Sequence, residues 1–191
     1  MTTALRVIGI IFWLYLGYLT VFLMTSYTPG LPGYSPPFLL FVLDTINLFI
    51  HEAGHLFFRL FGMWMHIIGG SFFQVALPAA LLVVTARQNL HQVGLPGFWV
   101  GESMVNVSVY IRDAPHQQLK LIAKGLIHDW HWLLADNLEA AEPLADIVFV
   151  FGILLCLASV GAGIGFIVHG YLQERRGDAG TSPAPNGPRH R

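Results

Sequence analysis

One short motif in the 191-residue sequence combines residue types that can do metal-assisted chemistry. It reads His51-Glu52-Ala53-Gly54-His55, which is an HExxH pattern. On an α-helix, residues four apart differ by about 40° in direction and about 6 Å in height, so both imidazoles can reach one metal ion. Glu52 then lies where its carboxylate can take a proton from a zinc-activated water. The spacing predicts a Zn²⁺ site with His51 and His55 as ligands and Glu52 as general base.

The motif lies about midway along an apolar segment, from Phe38 to about Phe61, that is long enough to cross a membrane. Ionisable side chains inside a bilayer are costly unless a partner satisfies them, and a divalent cation would satisfy both imidazoles and the carboxylate. The alternative is a buried polar network that joins helices without a metal. Asp44, two helical turns before His51, is expected to support the site, to line a water path or to lie near the interface.

Composition sets the environment in which the motif must work. Hydrophobic residues make up 54% of the chain and charged residues only 11%, against about 25% charged in soluble domains. This excludes a disordered chain, and a formal net charge of −1 excludes a basic nucleic-acid-binding surface. Cys156 is the only cysteine, so neither an internal disulfide nor a cysteine-based zinc cluster can form.

The elements that must position the motif are predicted to form an all-α, polytopic membrane helix bundle with four or five transmembrane segments. Long apolar segments cover about 7–27, 38–61, 67–86 and 147–168. The first is expected to be a retained anchor rather than a cleaved signal peptide. A shorter and more polar segment, 97–111, can span only if its polar face points into the protein. Within it, Glu102 is expected to pair with Arg59 or Arg87.

A membrane helix that carries HExxH resembles the site-2 protease family of intramembrane zinc metalloproteases. Family members commonly carry a Gly-Pro-x-x-Asn-like element on the next hydrophobic segment. Here Gly70 and Gln74 supply a glycine and an amide at that separation, without the proline and with Gln for Asn. Members also carry an Asn-rich stretch ending in Leu-Asp-Gly, and here Asp113 follows Asn106 without the Leu and Gly. The chain is also similar to small bacterial membrane proteins with HEAGH, GGS and HDW strings.

The resemblance implies that Asp113 is the third zinc ligand. The alternative interpretation is that Asp113 is a carboxylate at the end of a helix that pairs with Arg112. His128 is the other candidate, because it shares a face with His131 at a spacing of three residues. Asp129 lies between them and is expected either to hold a ligand imidazole or to be the ligand itself. The neighbouring tryptophans favour a segment that docks over the mouth of the site at the membrane interface.

The resemblance further implies zinc-dependent hydrolysis of a peptide bond in or near the membrane. It implies one metalloprotease-like domain over residues 1–172 and residence in the bacterial inner membrane. The tail over 173–191 is rich in Gly, Pro, Ala, Arg and Asp and has no apolar period, so it is expected to be disordered. The implied partners are the lipid bilayer and a membrane-protein or peptide substrate, with no nucleic acid. Gln74 and Asn106 are expected to hold the substrate backbone or stabilise an oxyanion. Pro78 and two preceding glycines are expected to form a flexible wall beside an unwound substrate.

Two alternatives stay open at this level. One is a membrane metal-dependent hydrolase that acts on a lipid or another small substrate, because the same ligands suit other bonds. The other is a non-enzymatic metal-binding or assembly protein in which the histidines are structural.

Overall fold

The computed structural model describes residues 3–119 and 127–180, with side chains described to residue 176. The helices are α1 (Thr3–Thr25), α2 (Phe38–Phe58), α3 (Met63–Gln88), α4 (Gly94–Arg112), α5 (Asp129–Leu133) and α6 (Ala141–Gly180). Short 3₁₀ turns occupy Arg59–Phe61, Leu90–Gln92 and Leu138–Ala140. The described residues contain no strand, so the predicted all-α fold is confirmed.

Four helical segments are long and apolar enough to cross a membrane: Thr3–Thr25, Phe38–Phe61, Met63–Gln88 and Leu138–Arg176. Large exposed side chains of Leu, Ile, Val and Phe are spread along all four segments. Such a surface suits lipid better than water, because contiguous exposed apolar area of this extent is rare in soluble monomers.

The fifth predicted segment is an inner helix. α4 has 19 residues, which corresponds to about 28 Å, and most of its side chains are buried by its neighbours. Its most extensive contact is with α6. A Cβ on Gly101 would lie 2.6 Å from the carbonyl oxygen of Gly152, so the two backbones touch. The polar face of α4 therefore points into the protein, as the sequence predicted for this segment.

Glu102 corrects one expectation about α4. Its side chain is fully buried and accepts a hydrogen bond from Asn47 at 2.8 Å. Arg59 and Arg87, the predicted partners, are both exposed. Neither arginine pairs with Glu102. The side chain of Glu102 points into the bundle interior, whereas Arg59 and Arg87 lie at the C-terminal ends of α2 and α3.

α2 and α3 form an antiparallel hairpin around the HExxH motif. Pro37 precedes α2, and Gly62, with φ +94°, lets the chain reverse into α3. A Cβ on Gly54 would collide with the carbonyl oxygen of Gly69, so the glycine inside HEAGH serves the packing of the two helices. α3 stays helical through Pro78 and its glycines. The glycines predicted to form a flexible wall instead allow close packing within a regular helix.

The C-terminal boundary also differs from the prediction. α6 continues to Gly180, so residues 173–180 are helical rather than disordered, and residues 181–191 lie outside the described part. Glu174 pairs with Arg6 of α1. Arg6 and Arg175 both lie 5.2 Å from the centre of the Tyr171 ring. These contacts give the polar end of α6 partners that its sequence does not reveal.

Candidate metal centre

Three side chains from α2 and α5 converge at one point. His51 Nε2 lies 2.9 Å and His55 Nε2 lies 3.2 Å from the same oxygen, Asp129 Oδ2. The two imidazole rings are 4.7 Å apart and nearly perpendicular. All three potential ligand atoms lie within 4.8 Å of one another, and His51 and Asp129 are buried. The i,i+4 spacing therefore places both rings on one face of α2, as the sequence predicted.

The outer nitrogen of His55 fixes the orientation of its ring. His55 Nδ1 lies 2.7 Å from the carbonyl oxygen of His66, which can only accept a hydrogen bond. In a neutral imidazole the proton is then on Nδ1, and the lone pair of Nε2 points at Asp129. His66 Nδ1 in turn donates to the carbonyl oxygen of His55 at 2.8 Å. These two reciprocal hydrogen bonds join the end of α2 to the start of α3.

A longer hydrogen-bonded chain fixes the ring of His51. His51 Nδ1 lies 3.2 Å from Gln74 Oε1, Gln74 Nε2 donates to Asn106 Oδ1 at 2.8 Å, and Asn106 Nδ2 donates to Asp44 Oδ1 at 3.1 Å. Asn106 Nδ2 also donates to the hydroxyl of Tyr27 at 2.7 Å. With the amide groups in these orientations, every donor in the chain points towards Asp44. His51 Nδ1 is then the donor to Gln74, and in the neutral imidazole the Nε2 lone pair also faces Asp129.

This arrangement leaves three electron-pair donors facing one another, which fits a cation between them. Two imidazoles and one carboxylate form a ligand set that catalytic zinc uses, with ligand atoms about 3.3 Å apart around a tetrahedral ion. The space beside the lone pairs is kept open by Gly70. A Cβ there would lie 2.6 Å from His51 Nε2 and 2.7 Å from His55 Nε2. The three donor atoms and the space beside Gly70 both fit a single metal ion.

Asp129 is brought to this point by the docking of α5, of which it is the first residue. Trp130 Nε1 donates to Ser71 Oγ at 3.0 Å, which ties α5 to α3. The docking of α5 thus brings Asp129 Oδ2 within 3.2 Å of both imidazole Nε2 atoms.

The other two predicted ligands lie in a separate pair. His128 Nε2 donates to Asp113 Oδ2 at 3.0 Å, and His128 Nδ1 accepts from the backbone amide of His131 at 3.4 Å. Asp113 also accepts the backbone amides of Gln118 and Leu119, each at 2.9 Å. The structure thus brings Asp129, and not Asp113 or His128, to the two imidazoles. Both nitrogens of His128 are already used, so the pair secures the segment that carries Asp129.

Glu52 shares a cavity with His51. The cavity has a volume of about 440 Å³, and its wall includes Asp44, Gln74 and Asn106. Its rim includes residues of the α1–α2 loop and of the segment after α4, namely Pro29, Gly30 and Leu119. No hydrogen bond or ion pair from the described residues holds the carboxylate of Glu52. The predicted general base is therefore positioned beside a ligand imidazole and faces open space.

No family model, curated protein or solved structure matches this chain. Its site geometry is accordingly what supports a function.

Two residues of the centre carried a weak signal in the sequence. Asp129 directly precedes a stretch with two tryptophans, Trp130 and Trp132, which indicates that α5 docks at an interface but not which side chain turns inward. Gly70 belongs to the glycine pair of α3, and only the packing of α2 shows that its missing side chain leaves space beside both imidazoles.

Proposed function

We propose that the chain is a zinc-dependent hydrolase of the bacterial inner membrane that cleaves a peptide bond in or near the bilayer, in the manner of the site-2 protease family. The observation that carries the proposal is that His51 belongs both to the candidate metal site and to the cavity wall. Its Nε2 faces Asp129 in the donor group, and its ring lines the cavity that Glu52 also lines. A metal ion held there and a general base would thus act on the same bound molecule.

The roles of the residues follow from these positions. His51, His55 and Asp129 would hold Zn²⁺, which when bound supplies a Lewis acid and lowers the pKa of a water molecule. Glu52 accepts a proton within the cavity and returns it to the leaving amine. Gln74 accepts from His51 Nδ1 through its Oε1 and donates from its Nε2 to Asn106, so we assign Gln74 to positioning His51.

The substrate is expected to be extended where it is cleaved. A helical peptide must unwind locally before a carbonyl can reach Glu52, because helical carbonyls are already hydrogen-bonded. The cavity of about 440 Å³ beside Glu52 would receive the unwound part. The rim at Pro29, Gly30 and Leu119 is where an unwound segment would enter.

Replacing Glu52 with Gln tests the proposal. The change keeps the shape of the side chain and removes the base, so cleavage of a fluorogenic transmembrane peptide by the purified protein in detergent should fall by about 10²–10⁴-fold. Zinc content, measured by elemental analysis, should not change. Glu142→Gln, an exposed substitution at the start of α6, is the matched control and should leave both readouts as in the parent.

The contrary outcomes separate the alternatives. Glu52-dependent release of fatty acid or another small product, with no peptide cleavage, would favour the lipid or small-substrate hydrolase. Bound zinc with no Glu52-dependent turnover on either class would favour a non-enzymatic metal-binding protein. Protein that binds no divalent ion would contradict the metal centre itself.

A further inference from the structure

A second polar group lies deeper in the bundle, outside the three side chains that could hold a metal ion. Glu102 of α4 is fully buried. Its Oε2 accepts from Asn47 at 2.8 Å, while its Oε1 has no hydrogen-bond partner among the described side chains. The carboxyls of Glu102 and of Asp44, on α2, face each other, and their contact becomes a hydrogen bond only when one of the two carries a proton. Two ionised carboxylates would both be acceptors, with no donor between them.

The surroundings supply no cation for this pair. Within residues 3–119 and 127–176, no Lys, Arg or His forms an ion pair with Asp44 or Glu102. The groups that face the pair from the other elements are neutral: the hydroxyls of Tyr27 and Tyr34, the amides of Asn47 and Asn106, and the thiol of Cys156. Two adjacent carboxylates cannot both stay ionised in such a setting, because burial and mutual repulsion both disfavour the second charge.

We infer that Asp44 and Glu102 form a proton-binding site in the bundle core, in which one proton is shared between them and resides on Glu102. The hydrogen bonds decide which member carries it. Asp44 Oδ1 accepts from Tyr27 at 2.6 Å and from Asn106 at 3.1 Å, and Asp44 borders the cavity. Glu102 accepts only from Asn47 and lies away from the cavity wall. The negative charge is better solvated on Asp44, so Glu102 is the acid and donates its carboxyl proton to Asp44 in a hydrogen bond.

The bound proton has a consequence for the chain of bonds that ends at His51. With the proton on Glu102, Asp44 remains ionised and can only accept, which preserves the direction of the bonds through Asn106 and Gln74. The site also keeps a single negative charge beside the cavity instead of two. The inference itself does not depend on zinc, since every group in it lies outside the donor set.

Infrared spectroscopy of the metal-free, full-length protein in detergent tests the inference. A protonated carboxyl absorbs above the amide I band, and this absorption shifts in deuterium oxide. Glu102→Gln should remove a band equivalent to one carboxylic acid per chain. Asp44→Asn should keep that band but move it to higher frequency, because the acid loses its carboxylate acceptor. Glu142→Gln, the exposed control, should leave the band in place.

Each contrary result overturns the inference. If the parent shows no such band, or if Glu102→Gln leaves it unchanged, Glu102 is not protonated. If the band is absent and the melting temperature rises with NaCl but not with choline chloride in the parent only, the pair binds a monovalent cation instead of a proton. Both variants are close in shape to the parent, and circular dichroism confirms that they are helical before the spectra are compared.

Discussion

Two groups of aspartate and histidine side chains lie close together in the bundle. One is the pair of Asp113 and His128, and the other consists of Asp129, His51 and His55. In the first pair, one nitrogen of His128 donates to Asp113 and the other accepts from a backbone amide. In the second group, the outer nitrogens donate to oxygen atoms, and both inner nitrogens face a carboxylate oxygen.

The difference shows how to tell a structural histidine from a ligand histidine without seeing a metal. A structural histidine uses both of its nitrogens in hydrogen bonds, one as donor and one as acceptor. A ligand histidine has its proton fixed on the outer nitrogen by an acceptor, so that a lone pair remains for the ion. By this criterion His51 and His55 are candidate ligands, and His128 holds in place the segment that carries Asp129.

The largest effect is expected from removing that donor. Asp129→Ala leaves two imidazoles without a carboxylate, so zinc affinity should fall by more than the about 100-fold that loss of an outer partner typically costs. Competition with a chromophoric chelator in detergent measures the affinity, and elemental analysis measures zinc per chain. Zinc bound to Asp129→Ala as tightly as to the parent would mean that the ion uses another third ligand.

The second-largest effect is expected from adding a methyl group at Gly70. Gly70→Ala places a carbon within 2.7 Å of both Nε2 atoms, so we expect zinc affinity to fall, by less than in Asp129→Ala, although all three donor residues are intact. Alanine favours a helix over glycine by about 1 kcal/mol, so helical content should not fall. Gly165→Ala, in α6 with open space around it, is the matched control and should bind zinc as the parent does. Parent-like affinity in Gly70→Ala would place the ion elsewhere.

The smallest effect is expected at the structural pair. Asp113→Asn weakens the hold on His128 and on two backbone amides, so the segment before α5 becomes less well fixed. Zinc affinity should fall by about 10–100-fold while the stoichiometry stays at one ion per chain. If Asp113→Asn instead abolishes binding and Asp129→Ala does not, Asp113 is the ligand that the family resemblance implied.

Much of the fold could be predicted because it depends on local properties of the chain. Long apolar runs predicted four membrane-length helices, and the polar face of residues 97–111 predicted that this helix needs protein around it. The pairing of Glu102 could not be predicted in this way. It depends on how α4 packs against α6, where Gly101 meets Gly152, and against α2, where Glu102 meets Asn47.

The sequence by itself determined that His51 and His55 share a helical face, with Glu52 beside them, because the period of an α-helix fixes the directions of residues four apart. Only the tertiary structure decided that Asp129 completes the group. Three candidate donors lie close together in space, and the one that reaches the imidazoles depends on hydrogen bonds that dock α5 on α3 and α4. Contacts between segments distant in the chain have no period that a sequence can display.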